Sequence, residues 1–361
     1  MIRVLQIIGS LNMGGAESFI VNLYRNIDRN EVQFDFLLYD KPQGKNFYDE
    51  VEKMGACIYY VPPKKKGLVR NYKSVKEIVR QHGYKVVWKH MDNCFSGIDI
   101  IAAKQGGARR CILHSHCTWC LRFERMLHYL VRPWVNLFAD ERWACGNEAA
   151  KFMFGNRKYM VVNNGIELDR FCYREEIRNE YRTAYDLQNR VVIGNIGRFD
   201  PAKNHGFMID VFCEFYRQEE RAVLVLVGEG ELQDVIKERV RECGIEDRVL
   251  FLNTRSDTAE LLQMMDIFIM PSKYEGFGIA LLEAQATGLP CIASDRIPKQ
   301  VNVTGQVEYL PLDDVRQWVD MLQIMKKRGK KEDASVMIRK AGYSIKDIAK
   351  NIETILLQME G

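Results

Sequence analysis

Apolar residues along the chain follow two rhythms. Short, nearly continuous apolar runs read as buried strands, and stretches with apolar residues every three or four positions read as helices. Val4 to Ile8 is the first strand and Ala16 to Ile27 the first helix. Further strands are predicted at Val32 to Tyr39, Cys57 to Val61, Lys85 to Lys89, Arg110 to His114, Arg142 to Cys145 and Val161-Val162. Helices fall between them, near Phe47 and over Tyr72 to Arg80, Phe95 to Lys104 and Leu121 to Leu137. After the turn Asn163-Asn164-Gly165 and a charged stretch from Arg170 to Arg190, the alternation restarts. Strands then read at Val191 to Ile196, Ala222 to Val227, Arg248 to Leu252, Ile267 to Met270 and Cys291 to Ser294. Leu232 to Cys243, Thr258 to Met265 and Ala280 to Ala286 read as helices, as do Val315 to Lys327 and Ile345 to Met359 near the end. Strands alternating with helices predict an α/β protein of two Rossmann-like, doubly wound parallel-sheet domains facing a central cleft. Their expected bounds are 1–165 and 191–344, with 166–190 as linker.

Length agrees, because 361 residues exceed what one ordinary core organises. With 47% hydrophobic and 28% charged residues the balance is that of a soluble protein, and no apolar run reaches membrane-spanning length. Met1-Ile2-Arg3-Val4 leads directly into a strand, so cytoplasmic residence is expected. Ten scattered cysteines suit a reduced compartment. A net charge of +4 is too small to indicate nucleic acid. Basic residues do cluster, at Lys64-Lys65-Lys66 with Arg70 and Lys73, and again at Arg122, Arg125 and Arg132 among Trp119, Phe123, Tyr129, Trp134 and Phe138. Such segments are either solvated surface and an ordinary amphipathic helix, or a peripheral contact with anionic lipid.

Four segments carry candidate chemistry. Glu275 and Glu283 stand eight residues apart across Gly276-Phe277-Gly278-Ile279, the first in a strand-to-helix loop and the second on the helix. A helix N-terminus entered through glycines favours an anion such as a diphosphate, and flanking carboxylates can hold sugar hydroxyls. Gly14 and Gly15 open the first helix in a similar way. That loop is not G-x-G-x-x-G, and Asp40 is a poor match for the acidic ribose ligand, so a nicotinamide dehydrogenase is disfavoured. Arg198 and Lys203, five apart after the strand Val191 to Ile196, are positioned to converge on a diphosphate. The run His114-Ser115-His116-Cys117-Thr118-Trp119-Cys120 offers four zinc ligands, yet lacks the second ligand pair of a structural zinc. His114 and His116 are thus either packed loop residues or part of an active site. Gly228 and Gly230 serve either a tight turn or a nucleotide, and Thr254 and Arg255 follow the next strand, where a base can lie.

The segment Glu275 to Glu283, with Thr287-Gly288-Leu289-Pro290, resembles the Glu-x7-Glu motif of retaining glycosyltransferases of family 4. Gly14-Gly15-Ala16-Glu17 resembles that family's entry loop, and Gly197-Arg198 with Lys203-Asn204 its diphosphate motif. These matches keep the family's order and span nearly the whole chain, with Gln285, Thr287 and Asp295 as departures. The resemblance implies the GT-B fold, with the final helix (345–361) crossing back to the N-terminal domain. It further implies a metal-independent hexosyltransferase of exopolysaccharide or capsule synthesis, taking a nucleotide-diphosphate sugar, foremost a UDP-sugar, as co-substrate. The acceptor would be a saccharide or lipid-linked saccharide, and no resident cofactor or nucleic acid is implied. Catalytic roles carry onto His114, Arg198, Lys203 and Glu275. Donor contacts carry onto Gly14, Gly15, Arg198, Lys203, Glu275, Gly276, Phe277, Gly278, Ile279 and Glu283, with Glu283 on the ribose. His116, Gly228, Thr254 and Arg255 are secondary candidates. A GT-B transferase with a small soluble acceptor and a catalytically inactive partner subunit are the rival readings.

Overall fold

In the computed structural model the chain divides into two units, Met1–Ile166 with Gly342–Gly361, and Glu167–Ala341. The structure describes residues 1–12, 14–43, 46–117, 122–328 and 333–359. Thr118, Trp119 and Cys120 therefore lie outside the described residues, and of Arg122 and Phe123 only the backbone is described.

The first unit holds strands β1 (Ile2–Ile7), β2 (Val32–Leu38), β3 (Ile58–Tyr60), β4 (Val86–Met91), β5 (Arg110–Ser115), β6 (Glu141–Ala144) and β7 (Met160–Val161). All pair in parallel, in the order β3-β2-β1-β4-β5-β6-β7. Both faces of the sheet are covered, which is why β2 and β4 are buried along their whole length. One face packs Phe34, Phe36, Trp88 and Trp143 against the helices Gly15–Asn26 and Ile345–Gln358. The other packs Leu5, Val87 and Leu113 against Val75, Val79, Ala102 and Ala103. Helix Ile345–Gln358 is capped by Ser344, whose hydroxyl accepts from the Asp347 amide at 3.4 Å. It buries Ile345, Ile348, Ala349, Ile352 and Leu356 in the first face.

The two basic segments are less alike than their sequences suggest. Lys64 is enclosed, donating to Asp99 at 2.6 Å, whereas Lys65, Lys66, Arg70 and Lys73 of that cluster are exposed. Buried Lys89 joins the same Asp99 carboxylate at 3.3 Å, and burial lowers its pKa to about 8. Helix Arg122–Phe138 turns Val135 and Asn136 inward. Met126, Leu130, Trp134 and Leu137, spaced four, four and three apart, form an exposed apolar stripe, each at least 63% exposed. The helix thus has an apolar face beyond the one it packs on its own sheet.

The second unit holds β8 (Val191–Ile196), β9 (Ala222–Val227), β10 (Val249–Leu252), β11 (Ile267–Met270), β12 (Cys291–Ser294) and β13 (Val307–Leu310). They form a second parallel sheet, ordered β10-β9-β8-β11-β12-β13. The switch in order between β8 and β11 is the place where such sheets receive ligands, beyond the strand C-termini. β13 is an edge strand that the sequence reading did not separate from the loops around it. Of residues 166–190, expected as a linker, all but Ile166 instead belong to this unit, with helices Leu168–Phe171 and Glu175–Ala184. The Arg178 guanidinium donates to the carbonyls of Gln263 and Met265, and Arg182 to that of Met264. Both arginines also pair with Asp266. Arg178 and Arg182, in the stretch expected to connect the domains, thus satisfy the orphan carbonyls at the end of helix Thr258–Met264.

Candidate active site

In the second unit the loops after β8 and β11 are stitched together by backbone. The Lys273 amide donates to Ala202 O at 2.7 Å, which brings the Lys203 side chain to the Glu275 carboxylate. Lys203 Nζ lies 2.6 Å from Glu275 Oε1, and the Ser272 hydroxyl donates to the same oxygen at 2.8 Å. Ser272 is itself fixed, its carbonyl accepting from the Ser294 hydroxyl at 2.5 Å. Asp200 shapes the loop as an Asx turn, accepting from the Ala202 and Lys203 amides at 2.9 and 3.2 Å. Asn204 then enters helix His205–Tyr216 in the left-handed region at φ 57°. Arg198 is exposed and makes no side-chain hydrogen bond or ion pair among the described residues. An unpartnered guanidinium thus shares the loop after β8 with a lysine already partnered by a carboxylate.

Gly228 is needed for backbone reasons. Its φ is +140°, and a Cβ there would lie 2.2 Å from Gly197 O. A Cβ on Gly230 would lie 2.4 Å from Phe199 O. Both glycines let the loop after β9 press against the loop carrying Arg198. The tight-turn reading of the pair has this direct geometric reason. Arg255 grips Asp257 with two hydrogen bonds of 2.7 and 2.5 Å, and Asp257 also accepts from Tyr181 at 3.0 Å. Thr254 lies beside it, half-buried.

Gly278 caps helix Ile279–Ala286 at φ 94°, a conformation that favours glycine, and so sets the first amides of that helix free. Glu283 follows on that helix, where its carboxyl is enclosed although the residue keeps some surface. Burial pushes its pKa up to about 7, opposed by the charge of Arg170. No hydrogen bond to its side chain forms among the described residues. Gln285, one of the three departures from the family pattern, is structural: it donates to Leu281 O and Val301 O and accepts from Thr304. Phe277 is buried beside this turn.

The raised pKa of Glu283 has a stability consequence with a definite sign. Between the ordinary carboxyl value of 4.5 and about 7, the folded state holds a proton that the unfolded chain has released. The cost of ionising Glu283 is therefore absent below that window and complete above it. Glu283→Gln is expected to match the parent protein near pH 4.5 and to be more stable by about 1–2 kcal/mol at pH 8. Thermal melts at the two pH values check this, and a gap independent of pH would refute it.

In the first unit Gly14 and Gly15 are exposed and open helix Gly15–Asn26 without needing positive φ. A Cβ at Gly15 would meet nothing within 4 Å, so packing does not require a glycine there. Glu17, two residues on, is pushed up to about 7 by burial, with Asp92 adding to the effect. His114 is completely buried, held between Phe19 and Trp88 with ring centroids 5.5 and 5.7 Å away, and neither of its nitrogens has a hydrogen-bond partner. His116 lies nearer the surface and shares a hydrogen bond with His90, Nε2 to Nδ1, at 2.9 Å. The sequence reading ranked His114 before His116, yet His116 is the one nearer solvent. His90, Ser272, Glu17 and Arg170 were not singled out from sequence. Only Glu17, inside the Gly-Gly-Ala-Glu loop, carried a signal that could have found it.

Two parallel-sheet units, the second with cations and carboxylates gathered at its strand ends, define a protein of the nucleotide-handling α/β class. Comparison with known proteins narrows this class. Residues 13–170 match the model of Glycosyltransferase Family 4, and residues 177–309 that of Glycosyl transferases group 1. The chain is 32% identical to "Putative glycosyltransferase EpsF" of Bacillus subtilis (strain 168), over 98% of this chain and 95% of that one. It is 26% identical to the Escherichia coli UDP-Gal:alpha-D-GlcNAc-diphosphoundecaprenol alpha-1,3-galactosyltransferase, over 80% of this chain and 79% of the other. In structure it is similar to Anabaena HepE, solved in complex with UDP and glucose, with a TM-score of 0.81, 18% identity and 99% of each chain covered. The protein belongs to the family 4 glycosyltransferases, with their GT-B fold of two Rossmann-like domains.

Proposed function

We propose that this protein is a retaining hexosyltransferase that moves a sugar from a UDP-sugar to a hydroxyl of a saccharide or lipid-linked saccharide in exopolysaccharide or capsule synthesis. The observation that carries the reading is the Lys203–Glu275 contact of 2.6 Å beside the glycine-entered N-terminus of helix Ile279–Ala286. Arg198 and Lys203 receive the diphosphate together with the free helix amides, and Glu283 receives the ribose hydroxyls. Lys203 then shares its charge between Glu275 and phosphate, which leaves Glu275 an acceptor for a hydroxyl of the transferred sugar. The bond from the anomeric carbon to the diphosphate oxygen breaks, and one from the acceptor oxygen forms on the same face. The acceptor's proton passes to a donor phosphate oxygen, and UDP departs. Positive charge for the leaving group comes from the two side chains, so the transfer needs no metal. The Escherichia coli relative, whose name gives UDP-Gal and a diphosphoundecaprenol acceptor, and the UDP complex of HepE support UDP and a lipid-linked acceptor. Calorimetric titration with UDP, GDP and NAD tests the donor. UDP is expected to bind at least 10-fold more tightly than the other two, and preference for NAD would overturn the reading.

Contact with anionic membrane belongs to the same proposal. No helix among the described residues is long and apolar enough to cross a membrane. The exposed stripe Met126, Leu130, Trp134 and Leu137, flanked by Arg125 and Arg132, supports interfacial docking more directly than the lysine cluster, from which Lys64 is withdrawn. Flotation with anionic vesicles should recover the protein, and Leu130→Glu with Trp134→Glu should abolish recovery. Equal recovery on neutral and anionic vesicles would exclude this mode.

A further inference from the structure

We propose that His90, His114 and His116 form a binding site for a divalent transition-metal ion of the zinc class in the first unit. One nitrogen from each imidazole lies within 4.8 Å of the others. β4 and β5 bring them together: His90 and His114 are register partners on adjacent strands, and His116 follows two residues later. The cluster lies at the C-terminal ends of strands beside the β1–β4 switch in strand order, where doubly wound sheets receive ligands.

Hydrogen bonding fixes the tautomer that a metal needs. His90 Nε2 lies 2.8 Å from Gln6 Oε1, and a side-chain carbonyl only accepts, so His90 Nε2 carries the proton. The lone pair of His90 is therefore on Nδ1, which faces His116 Nε2 at 2.9 Å. A proton now shared between these two nitrogens occupies the place a cation would take. Ligating histidines characteristically hold their other N–H on a carbonyl or carboxylate, as Gln6 does here. His114 adds the second, independent sign: it is fully buried, and both its nitrogens lack partners. Buried polar groups are normally satisfied, and an ion between the three rings gives one of the two His114 nitrogens a partner.

Zinc binds imidazole nitrogen at about 2.0–2.1 Å, which sets neighbouring ligand nitrogens roughly 3.3 Å apart in a tetrahedron. The His90–His116 pair opens by a few tenths of an ångström, and His114 closes in by rotation of its ring. Asp92, close enough to act on His116 electrostatically, supplies negative charge at the rim. Cys117 directs its thiol to Asp92 Oδ1 at 3.6 Å, so the third imidazole comes from β4 and the His-x-His-Cys run does not form the site by itself. Cation binding here is separate from the transfer step, whose positive charge was assigned to Arg198 and Lys203.

The full chain without a histidine tag, stripped with chelator, tests the site by titration with Zn2+ and Co2+. One equivalent is expected to bind, Co2+ with the visible absorption of a low-coordinate imidazole site and Zn2+ with a rise in melting temperature. His116→Gln, at the rim where the fold is least at risk, and His90→Gln should each weaken binding at least 10-fold. Gln6→Ala should weaken it by about 10-fold while leaving all three ligands in place. Stoichiometric titration without the cobalt band, or folded His116→Gln with unchanged affinity, would overturn the site. Neither readout depends on turnover, so failure here leaves the proposed transfer reaction standing.

Discussion

Arg198→Ala and Lys203→Ala are each expected to lower the transfer rate at least 100-fold while the second unit stays folded. Each charge-assisted contact to a diphosphate contributes about 1.5–3 kcal/mol, and a preorganised charge facing a leaving group contributes towards the upper end or beyond. The two variants should differ in stability. Arg198 is exposed and has no side-chain partner among the described residues, so its loss should change stability by less than about 0.5 kcal/mol. Lys203 is the partner of Glu275, and removing it leaves that carboxylate held by Ser272 alone. Lys203→Ala should therefore also lower the melting temperature. Single-turnover rates with saturating donor, beside thermal melts, separate the effects. Transfer within a few-fold of the parent rate in both variants would remove the diphosphate role.

The second large effect is a split between the two glutamates. Glu275→Gln keeps the shape of the Lys203 contact and removes its charge, so kcat should fall at least 100-fold with KM for the donor little changed. Glu283→Ala removes an enclosed carboxyl that has no hydrogen-bond partner among the described residues, so the donor's KM should rise about 10-fold or more with a smaller change in kcat. A loss seen mainly in kcat marks an interaction made in the transition state, and one seen mainly in KM marks uniform binding. Steady-state kinetics over a donor series checks this, and the reverse split would exchange the two roles.

Much of this architecture was legible because parallel strands buried on both faces announce themselves. β8, β9, β11 and β12 were read with the ends the structure gives them; β9 and β11 are unbroken apolar runs, and β8 and β12 are apolar except for Gly194, Asn195 and Ser294. Helix His205–Tyr216 was not singled out. It buries His205, Met208, Ile209, Val211, Phe212 and Phe215, which is too much of its circumference to leave a clean period. The charged segment 166–190 misled for the opposite reason. Its charge made it read as a connection between domains, and only the fold shows the carbonyls of residues 263–265 that its arginines satisfy. The site divides in the same way. Glu275, Glu283, Arg198 and Lys203 lie in local motifs around strand ends, so their spacing carried a signal. His90 meets His114 only through strand register, 24 residues apart in sequence, and no local spacing encodes that meeting.

The last long helix, Ile345–Gln358, places five side chains in the core of a unit whose other residues end at Ile166. During synthesis the N-terminal sheet is therefore assembled while one wall of its core has yet to be made. The second unit, Glu167–Ala341, has its whole sequence in hand earlier. The order of maturation is thus inverted with respect to the order of translation: the domain made first is the one finished last. Shortening the chain at its C-terminus would in consequence damage the N-terminal domain and spare the one next to the cut.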